Sequence, residues 1–512
     1  MFGKILSGSV FGLKPYLIDV EVDFSQGLPC FVMVGSLGPE VRESAERVRI
    51  ALKNGNISLP AVHIAVNLSP ADMRKTGTGF DLPIALGVLG VMGEIRERAA
   101  DGILILGELG LNGEIKPVPG VMPIVWEAAR NGVRYCMVPY ENAKEAAVIE
   151  EMYVIGVKNL KEAMEYLNSK EEERKSIIPR TLPGNWFEEK ERNKITCDFI
   201  DITGQDALKR GALIAAAGFH HLLIMGPPGT GKTMVAKRLP SILPPLSREE
   251  CLDVTAIYSI AGRLTREEPV ITARPFFNPH HGISPAALAG GGRIPKPGVL
   301  SLSNKGVLFL DEMPEFGRET LDMLREPLEE KQVQIARSYG SFTYPADIML
   351  VGAMNPCPCG YYPDMNRCRC SPESVKRYLS HISGPILDRM DLCLKAEKLR
   401  IRDLQKGKGK TSSAEMKEKV MMARRIQEER YRGTKYTFNS TLDVSGIREF
   451  CRLGRSEEAL AGEICGKLDI SARAYHRLLK VSRTIADLDG AVDIGREHIL
   501  EAVGYRPALP GA

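Results

Sequence analysis

The period of the apolar positions changes along this chain, and the changes predict its elements. In PYLIDVEVDF (from Pro15) apolar and acidic residues alternate from Ile18 onward, the mark of a strand with one buried face. The runs AVHIAVNLSP (from Ala61), GILILGELGL (from Gly102) and YCMVPY (from Tyr135) predict further strands. Between them, VRESAERVRIALKNG and GVMPIVWEAARNG carry apolar residues at helical spacing and end at Gly, a usual helix stop. Residues 1–166 therefore read as an α+β domain, and the charged, proline-containing stretch 167–196 as a linker. Residues 197–397 read as a mixed α/β domain. Residues 398–512 are helical in pattern, from MKEKVMMARRIQEERY to REHILEAVGY, after a polar Lys- and Gly-containing stretch that predicts a mobile connection. No internal repeat is present.

Composition narrows the class without naming it. A chain of 512 residues with 44% hydrophobic and 26% charged residues is neither mainly disordered nor collagen-like, and is long enough for several domains. The net charge of +4 is too small to mark a partner, so any nucleic-acid surface has to be a local patch. The amino-terminal stretch lacks an apolar core followed by a small-residue cleavage site, and no run reaches the ~18 apolar residues of a membrane span. The eleven cysteines are odd in number, and four crowd into one loop, which fits a reducing cytosol. A soluble, cytoplasmic protein is expected.

The strongest motif follows the apolar run Leu222–Met225: Gly226, Pro227, Pro228, Gly229, Thr230, Gly231, Lys232 and Thr233, and then a helical pattern. This G-x-x-x-x-G-K-[ST] spacing lets backbone N–H groups wrap phosphates, Lys232 reach the β/γ oxygens and Thr233 offer its hydroxyl to Mg²⁺. A second buried-strand pattern, Gly306–Leu310, delivers Asp311 and Glu312 at its carboxyl end, where ligands bind in open α/β sheets. Asp311 suits the Mg²⁺ shell and Glu312 the polarisation of the attacking water. A third strand, Asp347–Met354, ends in Asn355, a side chain suited to orienting that water.

With these residues in order, the chain resembles AAA+ ATPases, and specifically the magnesium-chelatase-like group that includes the ComM/YifB proteins. The resemblance runs over essentially the whole chain. It rests on DITGQ (Asp201–Gln205), GPPGTGKT, RPFFNPHHGIS (Arg274–Ser284), GVLFLDEMPEF (Gly306–Phe316), AMNPCPCG (Ala353–Gly360), SGPILDRMDL (Ser383–Leu392) and SARAYHRLLKVSRTIADL (Ser471–Leu488). It implies a central AAA+ domain and a carboxyl-terminal helical lid. It also implies that Ile202 and Gly204 lie near the adenine, that Asn355 is sensor 1, that Arg389 is an arginine finger reaching a neighbour's ATP, and that Arg473 is sensor 2, in cis or in trans. The plain alternatives are a local pairing of Arg389 with Asp388 or Asp391 and a solvated Arg473. ATP and Mg²⁺ are the implied ligands, and a homohexameric ring the implied assembly.

Two basic elements bear on what such a motor moves. His280–Gly298 carries three consecutive glycines beside Arg293 and Lys296 and reads as a mobile basic loop; His280 and His281 read as loop anchors, too few for a metal site. Lys331–Tyr344 reads as two strands around a Tyr-Gly turn, resembling the pre-sensor hairpin of ring helicases such as the minichromosome maintenance proteins, with Arg337 toward the channel. Cations tracking a phosphate backbone serve non-specific single-strand channels. Two readings follow: a ring translocating single-stranded or branched DNA, as the link of the ComM group to branch migration in natural transformation implies, or a chelatase-like motor remodelling a partner protein.

The amino-terminal region, AVHIAVNLSPADMRKTGTGFDLPIALGVLG followed by GELGLNGEIKPVPGVMPIVWEAARNGVRYCMVP, resembles the Lon-protease (ribosomal S5 domain 2-like) fold. That pattern puts Gly79 where the Ser nucleophile belongs and Met122 where its Lys belongs. Lys75, Thr76 and Thr78 lie close by in sequence, but a non-proteolytic platform is expected. Finally, Cys357, Cys359, Cys368 and Cys370 form C-x-C-x₈-C-x-C, which is either a structural Zn²⁺ site or four reduced thiols packed in a turn.

Overall fold

The computed structural model describes residues 2–187, 197–292, 295–337, 340–398 and 411–506. The expected alternation in Lys14–Ser25 becomes an antiparallel partner of Phe2–Phe11, with Ile18, Val20 and Val22 buried on one face. A seven-stranded mixed sheet grows from this pair, in the order Cys30–Val34, His63–Ser69, Lys14–Ser25, Phe2–Phe11, Ile103–Ile105, Tyr135–Pro139, Tyr153–Val157. The helix Asp81–Met92 is apolar nearly all round and is buried against this sheet, as such a helix must be. Gly87 permits the close approach: a Cβ there would lie 2.7 Å from Val22 Cγ2.

Two sequence expectations shift here. GILILGELGL divides into the short strands Ile103–Ile105 and Glu108–Leu109. The charged stretch after residue 166 contains the helix Glu171–Ile177, and Ile178 is buried against the first sheet; residues 188–196 lie outside the described residues.

The second sheet is five-stranded and wholly parallel, in the order Phe276–Phe277, Val307–Leu310, Met349–Met354, Leu222–Met225, Leu392–Lys395. Its central strands are buried on both faces, which explains their unbroken apolar runs. Parity sorts the faces. Val307, Phe309, Met349 and Val351 join the apolar core of the helices Asp206–Gly218 and Lys232–Ile242. Leu308, Leu310 and Leu350 join another that includes Val333, Phe342 and Tyr344 of a hairpin and Cys357 and Cys368 of the cysteine loop.

The carboxyl-terminal region is helical, with Ser413–Arg430, Val444–Phe450, Arg455–Lys467, Ala472–Leu488 and Arg496–Gly504. Met416, Val420 and Ala423 of its first helix share the core of the helix after the Gly-rich loop, and Gln427 Nε2 donates to Ala217 O at 3.0 Å. Of the expected mobile connection, 402–410 lies outside the described residues, and Ser413 already begins a helix capped by Ser412. The chain is a mixed α/β protein with a parallel sheet and a helical carboxyl terminus. Among the described residues, no helix is long and apolar enough to cross a membrane.

Candidate functional site

The parallel register assembles one end of the site. Met225 is paired with Met354 and Leu310 with Gly352, so Gly226, Asp311 and Asn355 leave the sheet at adjacent strand ends. Gly226 has no room for a side chain, since a Cβ would meet Ala396 O at 2.6 Å; Gly229 and Gly231 take φ of +75° and +86°, a region costly to other residues. Lys232 opens the following helix, and its Nζ donates to Gly226 O at 2.7 Å, Pro227 O at 3.0 Å and Asn355 Oδ1 at 3.0 Å. Burial pushes its ammonium below the usual value, against the pull of Asp311 and Glu312. Thr230 Oγ1 donates to Pro227 O at 2.8 Å, which fixes the turn's shape.

Thr233 Oγ1 donates to Asp311 Oδ2 at 2.8 Å. A hydroxyl and a carboxylate so close are hard oxygen donors of the kind Mg²⁺ takes, so these residues fit that ion. Glu312 follows at φ +51°, its N–H donating to Asp311 Oδ1 at 3.0 Å. Ile202 is buried in the core shared with the helices Asp206–Gly218 and Lys232–Ile242, and Gly204 takes φ +61°. Gln205, which sequence reasoning passed over, ties this segment down: its Nε2 donates to Thr230 O at 3.1 Å and Glu397 O at 2.6 Å. Only its left-handed φ of +57°, invisible in sequence, marks it as constrained.

Arg389 and Arg473 are not at that end. Arg389 donates to Pro385 O at 2.7 Å and pairs with Glu329, and Arg473 approaches the other oxygen of Glu329 at 3.6 Å. The alternative pairing of Arg389 with Asp388 or Asp391 is not what forms: Asp388 pairs with Arg477, and Asp391 lies 3.2 Å from His220 Nδ1. Glu329 is the second residue that sequence reasoning missed; in LEEK it looks like one more surface acid. Around it opens a cleft of about 440 Å³ lined by Lys331, Arg389, Arg473, Arg477 and Lys480. His221, Ile348 and Asp391, which immediately precede three of the parallel strands, line it too. The cleft is thus at the amino ends of the strands and the glycine-rich loop at their carboxyl ends. Arg389 Nε is buried there without a hydrogen-bond partner.

The expected basic elements come together in part. Gln332–Arg337 and Gly340–Pro345 form the hairpin, and exposed Arg337 donates from Nε to Gly292 O at 3.4 Å. The glycine-rich insertion, expected as a mobile loop, contains short regular elements on both sides of 293–294, which lie outside the described residues. It holds the helix Pro285–Ala289 and a bridge of Gly290–Gly291 with Lys296–Pro297, and Tyr344 Oη donates to Pro295 O at 2.8 Å. Lys296 is exposed, while Arg293 lies outside the described residues. Phe342 lies against Phe11 of the first sheet, the rings tilted by 38° with centroids 4.5 Å apart.

Near the first sheet, Gly79 faces Val118, Met122 is buried, and neither offers a reactive atom. Thr78 donates to Glu108 and buried Lys75 to Pro70 O, so these two have separate partners. The four clustered cysteines bring their sulfurs within 4.8 Å of one another.

Comparison with known proteins agrees with this picture. The family described as "Magnesium chelatase, subunit ChlI" matches residues 198–404, "Subunit ChlI of Mg-chelatase" residues 20–142, and "Magnesium chelatase, subunit ChlI C-terminal" residues 410–506. The competence protein ComM of Haemophilus influenzae is 40% identical over 506 residues, 98% of this chain and 97% of that protein. Escherichia coli YifB is 42% identical over 504 residues, 97% of this chain and 96% of that protein. The magnesium-chelatase 38 kDa subunit of Rhodobacter capsulatus is 24% identical over 318 residues, 59% of this chain and 84% of that subunit. The chain belongs to the ComM/YifB family of magnesium-chelatase-like AAA+ proteins.

Proposed function

We propose that this protein is an ATPase active as a ring, in which each subunit completes its neighbour's site, and that hydrolysis drives DNA through or past the ring. The observation that carries the assembly is the opposition of the two ends of the parallel sheet. Arg389 and Arg473 share Glu329 at the amino ends, whereas Lys232, Thr233, Asp311 and Asn355 cluster at the carboxyl ends. The six-residue strand Met349–Met354 alone spans about 20 Å at ~3.3 Å per residue, longer than an arginine side chain. Cations so placed are better suited to a neighbour's phosphates than to their own. That supports Arg389 and Arg473 acting together, in trans, and a closed assembly such as a homohexamer.

Within one subunit, the N–H groups of Gly226–Thr233 would cradle the phosphates and Lys232 would move from its backbone acceptors to the β/γ oxygens. Ile202 and Gly204, held by the Gln205 tether, would border the base. Thr233 and Asp311 would hold Mg²⁺, whose chemistry there is to neutralise charge on the phosphate oxygens. Asn355 would orient the attacking water and Glu312 accept its proton. The helical region 398–512 would act as a lid on the AAA+ domain 197–397, and the Lon-like domain 1–166, joined through 167–196, as a non-proteolytic platform. The free cysteines fit the cytoplasm.

The DNA reading is supported by the meeting of Arg337 with the glycine-rich loop and by the competence relative. Single-stranded or forked DNA is expected to raise ATP turnover several-fold. Replacing Arg293, Lys296 and Arg337 together should remove that stimulation, flatten the salt dependence of binding and leave basal turnover in place. No stimulation by any DNA, together with stimulation by a co-purifying protein, would favour the chelatase-like reading that the Rhodobacter relative supports.

A further inference from the structure

We propose that Cys357, Cys359, Cys368 and Cys370 bind one Zn²⁺ as a closed tetrathiolate site with no catalytic role. The distances carry the assignment. Cys357 Sγ lies 3.4 Å from Cys359 Sγ and 3.8 Å from Cys368 Sγ, and Cys359 Sγ lies 3.6 Å from Cys368 Sγ. A tetrahedron with Zn–S bonds of about 2.3 Å has edges of about 3.8 Å, so the sulfurs already outline the shell of one small ion. They stand too far apart for disulfides, and all four are free.

The surrounding chain suits such an ion. Residues 355–371 run between strand and helix without regular structure of their own, an uncommon length for such a loop, and a bound ion would brace it. Cys357 and Cys368 are buried at its centre, and the Tyr362 N–H points at Cys357 Sγ from 3.4 Å, a donor that would stabilise a thiolate. Binding exchanges the S–H protons for Zn–S bonds and releases the protons to solvent, leaving a site of net charge −2. Arg367 and Arg369, on either side of Cys368, supply matching positive charge. Four protein ligands leave no position for water, hence no chemistry at the metal.

The loop bears directly on the nucleotide cradle. At Gly360, φ +82°, a Cβ would lie 2.5 Å from Pro228 Cδ and 3.7 Å from Asn355 Cγ. The metal therefore anchors the segment that backs the glycine-rich loop.

Elemental analysis of the full chain, purified without a metal-affinity tag or chelator, should give close to one zinc per chain. The C359S/C370S variant should lose at least tenfold of it, while C30S/C465S keeps it. Should the first variant fail to fold, mercurial titration of the native protein should release the zinc as four thiols are consumed. Overturning results are metal-free protein with all four thiols open to Ellman's reagent, iron in place of zinc, or full zinc in C359S/C370S.

Discussion

The two ends of the parallel sheet differ in how completely one chain finishes them. At the carboxyl ends most of the polar candidate side chains have partners within the chain: Lys232 with Asn355, Thr233 with Asp311, Gln205 with Thr230. At the amino ends, Arg389 and Arg473 share one glutamate that is 52% exposed, and Arg473 itself is 71% exposed. Exposed ion pairs are worth about 0.2–1 kcal/mol, whereas an arginine finger at a transferring phosphoryl group is worth roughly 10³–10⁵ in rate. In the proposed ring, Glu329 would hold these arginines only until a neighbour's phosphates arrive. In that proposal the finished end would bind nucleotide and the unfinished end would be completed by a second subunit.

The largest expected effect tests the finished end. Lys232→Ala and Glu312→Gln should each lower steady-state phosphate release by roughly a thousandfold. Their binding should differ, since Glu312→Gln leaves the backbone cradle intact while Lys232→Ala removes its cation. Nucleotide titration of both variants separates the roles. Loss of binding in Glu312→Gln would assign Glu312 to the cradle instead of to the water.

How much of this contrast was legible in sequence depends on whether a contact is local. The glycine-rich loop was readable because its chemistry lies in consecutive residues, and Asp311 and Asn355 because an apolar run ends in a polar residue at a strand's carboxyl end. Their assembly followed from the parallel sheet. Glu329 was not readable: its meaning comes from Arg389 and Arg473, sixty or more positions away, brought to it by tertiary packing. Gly360 was missed for a like reason, because its tight approach to Pro228 exists only once the cysteine loop folds back. The strand Phe2–Phe11 escaped because SGS divides its apolar residues and they do not alternate, although its backbone pairs throughout with the following strand. The short regular elements in the glycine-rich insertion were not read from sequence. Glycine content signals conformational freedom in the unfolded chain, while Gly290 and Gly298 here allow two backbones to touch.

The next effect, about a hundredfold or more, tests whether the unfinished end serves a neighbour. Arg389→Ala should reduce turnover without weakening nucleotide binding, because the cation is missing only where charge develops. Mixed with Lys232→Ala, which is inactive for a different reason, it should recover part of the activity. Interfaces joining an intact glycine-rich loop to an intact Arg389 then exist again. Additive inactivity at every mixing ratio, with mixed rings demonstrated by mass photometry, would mean that Arg389 works within its own chain.

The smallest effect isolates Glu329. Glu329→Gln keeps the side chain's size and removes the charge that Arg389 and Arg473 share. Because Glu329 and Arg473 are exposed while Arg389 is only 17% exposed, the melting transition should move by the equivalent of about 1 kcal/mol or less. Kinetics should be more sensitive, since in the proposed ring the carboxylate would compete with a neighbour's phosphates for the same two cations. Without that competitor, half-maximal ATPase activity should be reached at a protein concentration a few-fold lower, at an unchanged rate per assembled subunit. A fall in the rate per assembled subunit would instead give Glu329 a part in orienting Arg389 within the working interface. The unfinished end would then be less a resting clamp than a scaffold already set for its neighbour, and the contrast between the two ends would narrow.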